Sequence, residues 1–186
     1  KEPVPAPSAL DAQLFYELLV GEMSAQEGES VTGISLMLDA ARKTRDPSLY
    51  QRAVELGLQA RSGDAALQAA RAWKQAFPQS QEANRYVLQI LVLLNRLPET
   101  AEPLRSAIQL SDPGERNAVI ASVPRLYARV ADRKAAAAVA EQALSDALQN
   151  KDTSATAWTA IGRMRLAAGS PDGAIDAVRR AQAANP

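Results

Sequence analysis

The residues that most often carry enzyme chemistry are missing from this sequence. Its 186 residues include no histidine and no cysteine, which excludes histidine-based triads, thiolate nucleophiles, disulfides and the usual zinc ligands. No serine stands three residues before a lysine, and no glycine-rich phosphate loop is present. Paired carboxylates, Glu27 with Glu29 and Glu99 with Glu102, remain as acid–base candidates, but acidic residues at such places also flank turns and begin helices. We predict no enzymatic activity, no cofactor and no metal.

The sequence is rich in arginine, a residue type that often binds partner molecules. Residues 47–186 carry seventeen basic side chains, fourteen of them arginine, against thirteen acidic ones, whereas residues 1–46 carry four basic and eight acidic ones. Because guanidinium groups pair with carboxylates in bidentate geometry, this excess indicates carboxylate partners. The formal net charge of zero gives the whole chain no attraction to nucleic acid or anionic lipid.

The elements that must position these arginines are predicted to be helices. Hydrophobic residues make up 47% of the chain, but only 4% are aromatic and many are alanine, which favours closely packed helices. The longest strongly apolar run, Val87 to Leu94, is too short to span a bilayer. Spacing of apolar residues and turn signals predicts a proline-rich leader at 1–7 and five helical hairpins at 8–46, 47–80, 81–112, 113–151 and 152–186.

Two spacings indicate that these hairpins are repeats. Pro47 and Pro186 are 139 residues apart, and Gly28 and Gly169 are 141 apart. Divided over four repeats, both spacings give a period of about 35 residues, close to the tetratricopeptide period and below that of HEAT repeats.

The last hairpin resembles a tetratricopeptide repeat. Trp158, Ile161-Gly162, Ala174 and Val178, and the final Pro186 follow the family pattern at the correct separations, although Arg165 stands where the family usually has an aromatic residue. The resemblance implies an all-α solenoid of about five hairpins in a right-handed superhelix. The residues expected to pack the repeats are Trp73, Trp158, Ile161, Gly162, Ala174, Val178 and Ala181, with Gly162 and Ala174 allowing two helices to approach.

The same resemblance implies a concave groove lined by the first helix of each hairpin, to which a protein or extended peptide binds. The polar groove positions are Gln51, Arg52, Arg85, Tyr86, Gln89, Ser122, Thr159 and Arg163. Arg85 and Arg163 are the candidates for holding a peptide carboxylate. The alternative is that both are solvated helix residues.

A narrower likeness lies in the first half of the chain. Leu14-Phe15-Tyr16, residues 41–47, Ala72-Trp73 and Phe77-Pro78 are similar to the beginning of bacterial tetratricopeptide lipoproteins of the periplasmic face of the outer membrane, one of which is a protease adaptor. This likeness implies a periplasmic or outer-membrane-associated scaffold whose partner is a periplasmic protease or envelope complex. Residues 1–7 would then belong to the linker from a lipid anchor outside this chain. Without that likeness, the expected location is the cytoplasm.

Two other functions remain open from the sequence. An RNA-binding helical repeat has a similar period but needs a basic groove, and a purely structural spacer would have a groove without consistent chemistry. We also expect the chain to be part of a longer array. The apolar end around Trp158, Ile161 and Val178 is expected to self-associate.

Overall fold

The protein is entirely helical over the part that is described. The computed structural model describes residues 12–184, in which the backbone forms eleven α-helices and one 3-10 turn and no strand. The chain divides into unit 1, which ends at Pro78, and unit 2, which begins at Gln79. The predicted all-α class is confirmed, while the leader at 1–7 lies outside the described residues.

Unit 1 consists of two helical hairpins. Its helices are α1 (Ala12–Gln26), α2 (Ser30–Thr44), α3 (Pro47–Gln59) and α4 (Gly63–Ala76). The turn after α1 contains Gly28 at φ 92°, a conformation that glycine adopts without steric cost. Asp46 caps the start of α3: its side chain accepts from the backbone N–H of Ser48 at 2.9 Å, and Pro47 is the first helical residue.

Small residues allow the helices of unit 1 to pack closely. Ala40, Ala53, Ala66 and Ala70 are fully buried. Gly57 on α3 lies very close to α4: a methyl group added there would lie 2.7 Å from the backbone nitrogen of Ala66. The α3–α4 distance therefore depends on the missing side chain at position 57.

Unit 2 consists of seven α-helices and the 3-10 turn at Leu97–Thr100. The helices are α5 (Gln81–Leu93), α6 (Ala101–Leu110), α7 (Arg116–Leu126), α8 (Arg133–Ala143), α9 (Ser145–Gln149), α10 (Ser154–Ala167) and α11 (Pro171–Ala184). Helix α7 packs chiefly against α10, and α10 packs against α11. Leu104 and Val123 belong to one apolar cluster of this unit, and Ile120 and Ile161 belong to another.

Pro124 lies in the last turn of α7, which ends two residues later at Leu126. Proline cannot donate the backbone hydrogen bond that would continue the ladder to residue 120, so the helix stops early instead of being interrupted in its middle. The chain then turns through Tyr127 and Val130, both of which are buried. The hydroxyl groups of Tyr127 and Thr100 lie 2.7 Å apart, which joins the end of α7 to the 3-10 turn.

Arg165, the departure from the tetratricopeptide pattern, connects three helices of unit 2. Its guanidinium donates to Glu141 Oε1 on α8 at 2.7 Å and to the carbonyl oxygen of Gly173 on α11 at 3.1 Å. The side chain is half-buried, with 23% of it exposed. An arginine at this position therefore replaces the packing of an aromatic ring with a set of charge-assisted hydrogen bonds.

Candidate functional site

The predicted groove residues are divided between the two units. Gln51 and Arg52 belong to unit 1, and the other six belong to unit 2. Each unit is therefore considered by itself.

In unit 1, Arg52 is bound within the protein. Its Nε and Nη2 donate to the two carboxylate oxygens of Glu22 on α1 at 2.6 and 2.7 Å. Glu55 Oε2 lies 3.6 Å from Arg52 Nη1, and Glu55 Oε1 accepts from Gln51 Nε2 at 3.0 Å. Arg52 and Gln51 thus bind neighbouring side chains, and Arg52 joins α3 to α1.

The Arg52–Glu22 pair gives a prediction about acid stability. The hydrogen bond from Arg52 lowers the pKa of Glu22, so the stabilisation is present above the usual glutamate pKa and is lost as the pH falls through the lowered value. Glu22→Gln should cost up to about 1 kcal/mol at neutral pH, because the pair is partly exposed. The cost should shrink in acid. Urea unfolding of both proteins from pH 7 to pH 3 measures it, and Glu27→Gln, in an exposed turn, is the control. An equal cost at both ends of the range would contradict the prediction.

In unit 2, a cavity of about 470 Å³ lies between α5, α6 and α7. Its walls are joined by side-chain hydrogen bonds to the backbone: Asn84 Nδ2 donates to the Pro103 carbonyl at 2.8 Å, and Gln81 Nε2 donates to the Leu110 carbonyl at 2.7 Å. The residues lining it are Gln81, Glu82, Arg85, Leu88, Gln89, Leu104, Ala107, Ser111, Glu115, Val119, Ser122, Val123 and Leu126.

The cavity has an apolar floor and a polar rim. Leu88, Leu104 and Val123 are buried core residues whose surfaces form the floor. Arg85, Gln89 and Ser122 are exposed on α5 and α7 and belong to the rim. An apolar cavity with a few polar groups around it is the usual form of a site for a ligand or for a side chain of a partner.

The rim carries both signs of charge. Arg85 has 59% of its side chain exposed; its Nη2 lies 3.1 Å from Glu82 Oε1, and its guanidinium lies 5.8 Å from the Tyr86 ring centre. Glu115 is a second acidic lining residue. Arg85 is therefore already paired with a neighbour on its own helix, by an exposed ion pair of the kind that contributes about 0–1 kcal/mol.

The other three predicted groove residues of unit 2, Tyr86, Thr159 and Arg163, do not line this cavity. Arg163 lines a separate cavity of about 210 Å³ beside Pro124, Tyr127 and Arg133. Thr159 donates its hydroxyl to the carbonyl oxygen of Ala155 in its own helix at 2.8 Å. The structure thus brings Arg85, Gln89 and Ser122 to one cavity and places Arg163 outside it.

Part of the cavity was not predicted from the sequence. The groove residues were assigned to first helices alone, but Leu104, Ala107 and Ser111 on and just after α6 also line the cavity. Their spacing of three and four residues places them on one face of a helix. That spacing is the signal from which they could have been found.

The predicted repeat-packing residues are mostly inside. Trp73, Ile161, Gly162 and Ala174 are buried, while Trp158 and Ala181 are half-buried. The ring of Trp158 is covered by the Arg180 guanidinium at 4.8 Å. Val178 is 47% exposed, whereas the adjacent Ala177 is fully buried. Ala174, Ala177 and Val178 of α11 all lie beside Gly162 of α10: a methyl group added at Gly162 would be 3.5 Å from Ala177 Cβ and 3.7 Å from Val178 Cγ2.

Two further findings concern the described residues. None of their helices is long and apolar enough to cross a membrane. Within the same part of the chain, no group of three or more acidic residues is placed to hold a metal ion.

Comparison with known proteins identifies the fold. No family model matches the sequence, and the search of curated proteins found no match. Among solved structures, the MamA RS-1 ArsTM double mutant is similar at 9% identity with a TM-score of 0.50, over 95% of this chain and 96% of that one. MamA 41-end of Desulfovibrio magneticus RS-1 has 9% identity and a TM-score of 0.49, over 95% and 97%. A thermophilic TPR protein of Thermus thermophilus has 17% identity and a TM-score of 0.42, over 93% and 92%.

The likeness at a TM-score of 0.50 shows a fold of tetratricopeptide type. The predicted resemblance to tetratricopeptide repeats is therefore confirmed at the level of the fold. At 9% identity the likeness shows nothing more than the fold.

Proposed function

We propose that this protein is a non-catalytic scaffold that binds a segment of a partner protein in the cavity between α5, α6 and α7. The observation that supports it is the combination of an apolar floor and a polar rim in a cavity of about 470 Å³. Such a volume accommodates one or two side chains, not a whole helix. The partner segment is therefore expected to be extended, with an apolar side chain on the floor near Leu104 and Val123.

The rim determines which groups flank that apolar side chain. Gln89 offers both an amide donor and an acceptor, and Ser122 bonds only to Val119 of its own helix at 2.7 Å, so both can bind peptide groups of an extended chain. A partner carboxylate would compete with Glu82 for Arg85 at little cost, because the existing pair is exposed. Affinity should be about micromolar, since ordering a flexible segment offsets much of the contact energy.

The finer proposal concerns location and partner. We propose a periplasmic or outer-membrane-associated adaptor whose partner is a protease or another envelope complex. It is supported by the sequence likeness in the first half of the chain to outer-membrane tetratricopeptide lipoproteins. Localising the full-length protein by fractionation of its host cells tests this proposal separately from the cavity.

The cavity proposal is tested by blocking the cavity with one substitution. A phage-displayed library of short peptides is selected on the wild-type protein. Peptides obtained should bind Ser122→Arg at least about tenfold more weakly, because a long side chain on the rim would cover the cavity mouth. Ala121→Arg is the matched control: the same charge is added on the same helix, at an exposed residue that does not line the cavity. Circular dichroism checks that both variants remain helical.

The result that would overturn the proposal is equal binding of the selected peptides to wild-type protein and Ser122→Arg. Arg85→Gln and Arg163→Gln then separate the roles of the two arginines. If an acidic group of the peptide binds at the rim, Arg85→Gln should weaken binding several-fold, whereas Arg163→Gln should not change it, because Arg163 lies in another cavity. Equal effects of the two variants would contradict this assignment.

A further inference from the structure

Helix α1 is apolar on two opposite sides, and one of these sides is uncovered. Leu14 is buried against the rest of unit 1. Phe15, Tyr16, Leu19 and Met23 are exposed by 47–65%. Their spacing places all four within a narrow arc of the helix surface, away from Leu14. A helix that is apolar all round is ordinarily buried on both sides.

The uncovered side, which we call the α1 face, consists of Phe15, Tyr16, Leu19 and Met23. Single exposed apolar residues are common, but several on one side of a helix usually mark a site of interaction. Four such side chains present on the order of 400 Å². Two copies placed face to face would bury about 800 Å², the size of a weak interface.

The charges around the α1 face fit a second copy of the same chain. The two acidic residues of α1 are both bound inside unit 1: Glu17 accepts from Lys43 Nζ at 2.7 Å, and Glu22 accepts from Arg52. The residues of the face carry no charge, and exposed Glu27 follows Met23 at the end of the row. At the centre of the pair, two identical faces therefore meet without the like-charge repulsion that most pairs of identical surfaces would suffer.

The order of side chains along α1 fits an antiparallel pair. Phe15, Leu19 and Met23 follow one another at intervals of four residues, the row that packs into the groove of a facing helix. If a two-fold axis passes at Leu19, the aromatic end of one helix, Phe15 and Tyr16, faces Met23 of the other. Contacts between the methionine sulfur and an aromatic ring are favourable. The face is therefore complementary to itself in this orientation.

We propose that the protein forms a two-fold symmetric dimer through the α1 face, with the two α1 helices antiparallel. This interface is separate from the cavity proposed above for a partner segment. It also differs from the expected self-association at the C-terminal end, where Leu166, Ile175 and Val178 are exposed. Because the area is small, the dissociation constant should be about micromolar.

Sedimentation equilibrium of the full chain tests the proposal. At about 100 µM, well above the expected dissociation constant, the wild type should have twice the monomer mass of 19.8 kDa. Leu19→Glu should return it to the monomer mass. Ile175→Glu, an equally exposed apolar residue on α11, and Gln68→Glu, an exposed residue on α4, should leave the dimer unchanged. A monomeric wild type would overturn the proposal, as would a dimer lost in Ile175→Glu but retained in Leu19→Glu.

Cysteine cross-linking tests the orientation, and the chain has no cysteine that would interfere. Leu19→Cys should form a disulfide with its own copy under mild oxidation, since residues on the axis come close enough. A mixture of Phe15→Cys and Met23→Cys should cross-link to each other more than either does to itself. Preferential cross-linking of each variant to itself would indicate a parallel pair and overturn the arrangement.

Other occupants of the α1 face would give different results. If the full chain is a monomer and deletion of residues 1–11 makes it a dimer, this segment covers the face. Co-sedimentation of a monomeric chain with vesicles of phosphatidylethanolamine and phosphatidylglycerol, lost in Leu19→Glu, would show a lipid surface instead. Either outcome overturns the dimer.

Discussion

Replacing Gly57 by alanine is expected to destabilise unit 1 by about 2 kcal/mol, whereas the same replacement at Gly162 is expected to stabilise unit 2 by up to about 1 kcal/mol. A methyl group at Gly57 would lie 2.7–2.9 Å from the backbone nitrogen, Cα and Cβ of Ala66, so α3 and α4 must separate. At Gly162 the nearest atom is 3.5 Å away, an ordinary contact. There the higher helix propensity of alanine is gained without strain.

The chain carries one tryptophan in each unit, Trp73 and Trp158, which allows the two effects to be measured separately. Urea unfolding of Gly57→Ala is followed in a Trp158→Phe background, and that of Gly162→Ala in a Trp73→Phe background, each against its own parent. We expect Gly57→Ala to lower the free energy of unfolding and Gly162→Ala to raise it. A stabilising Gly57→Ala would contradict the close approach of α3 and α4.

The two glycines also show what a sequence pattern can predict. The tetratricopeptide pattern correctly placed Gly162 on a buried helix surface, because helical periodicity marks which residues face a neighbour. It did not predict that the tighter contact lies at Gly57. Distance between helices depends on the combined size of all side chains across the contact, so a single consensus position does not determine it.

The candidate site was predictable to a similar extent. Helical register placed Arg85, Gln89 and Ser122 on surfaces that share one cavity. It could not predict that Arg52 pairs with Glu22, thirty residues earlier, because the choice of an ion-pair partner depends on which helices meet. In the same way, register alone does not tell whether Phe15 and Leu19 on α1 are covered, since either side of an apolar helix can face the core.

Tyr127→Ala is expected to destabilise unit 2 by about 3–5 kcal/mol, the range for removal of a large buried aromatic ring. Tyr127 is only 3% exposed and follows directly from the early end of α7 at Leu126. Its ring packs in the apolar cluster that also contains Leu104 and Val123. Urea unfolding monitored by Trp158 fluorescence gives the cost, and a cost below about 1 kcal/mol would show that the ring is not packed in the core.

Tyr127→Phe separates the hydroxyl group from the ring. Thr100 Oγ1 donates its single hydrogen to the Leu97 carbonyl at 2.7 Å, so the Tyr127 hydroxyl must donate to Thr100, and its removal should cost about 1 kcal/mol. Burial also raises the pKa of Tyr127. As the pH rises, the Tyr127 phenol therefore loses its proton in the unfolded chain before it does so in the folded protein. The stabilisation from the neutral hydroxyl is fully present below about pH 10, the usual tyrosine pKa, and is lost as the pH rises through the raised pKa of the folded state. Wild type should lose stability in alkali faster than Tyr127→Phe. If the free energies of unfolding of wild type and Tyr127→Phe changed in parallel between pH 8 and pH 11, the hydroxyl would have to be hydrated in the folded protein.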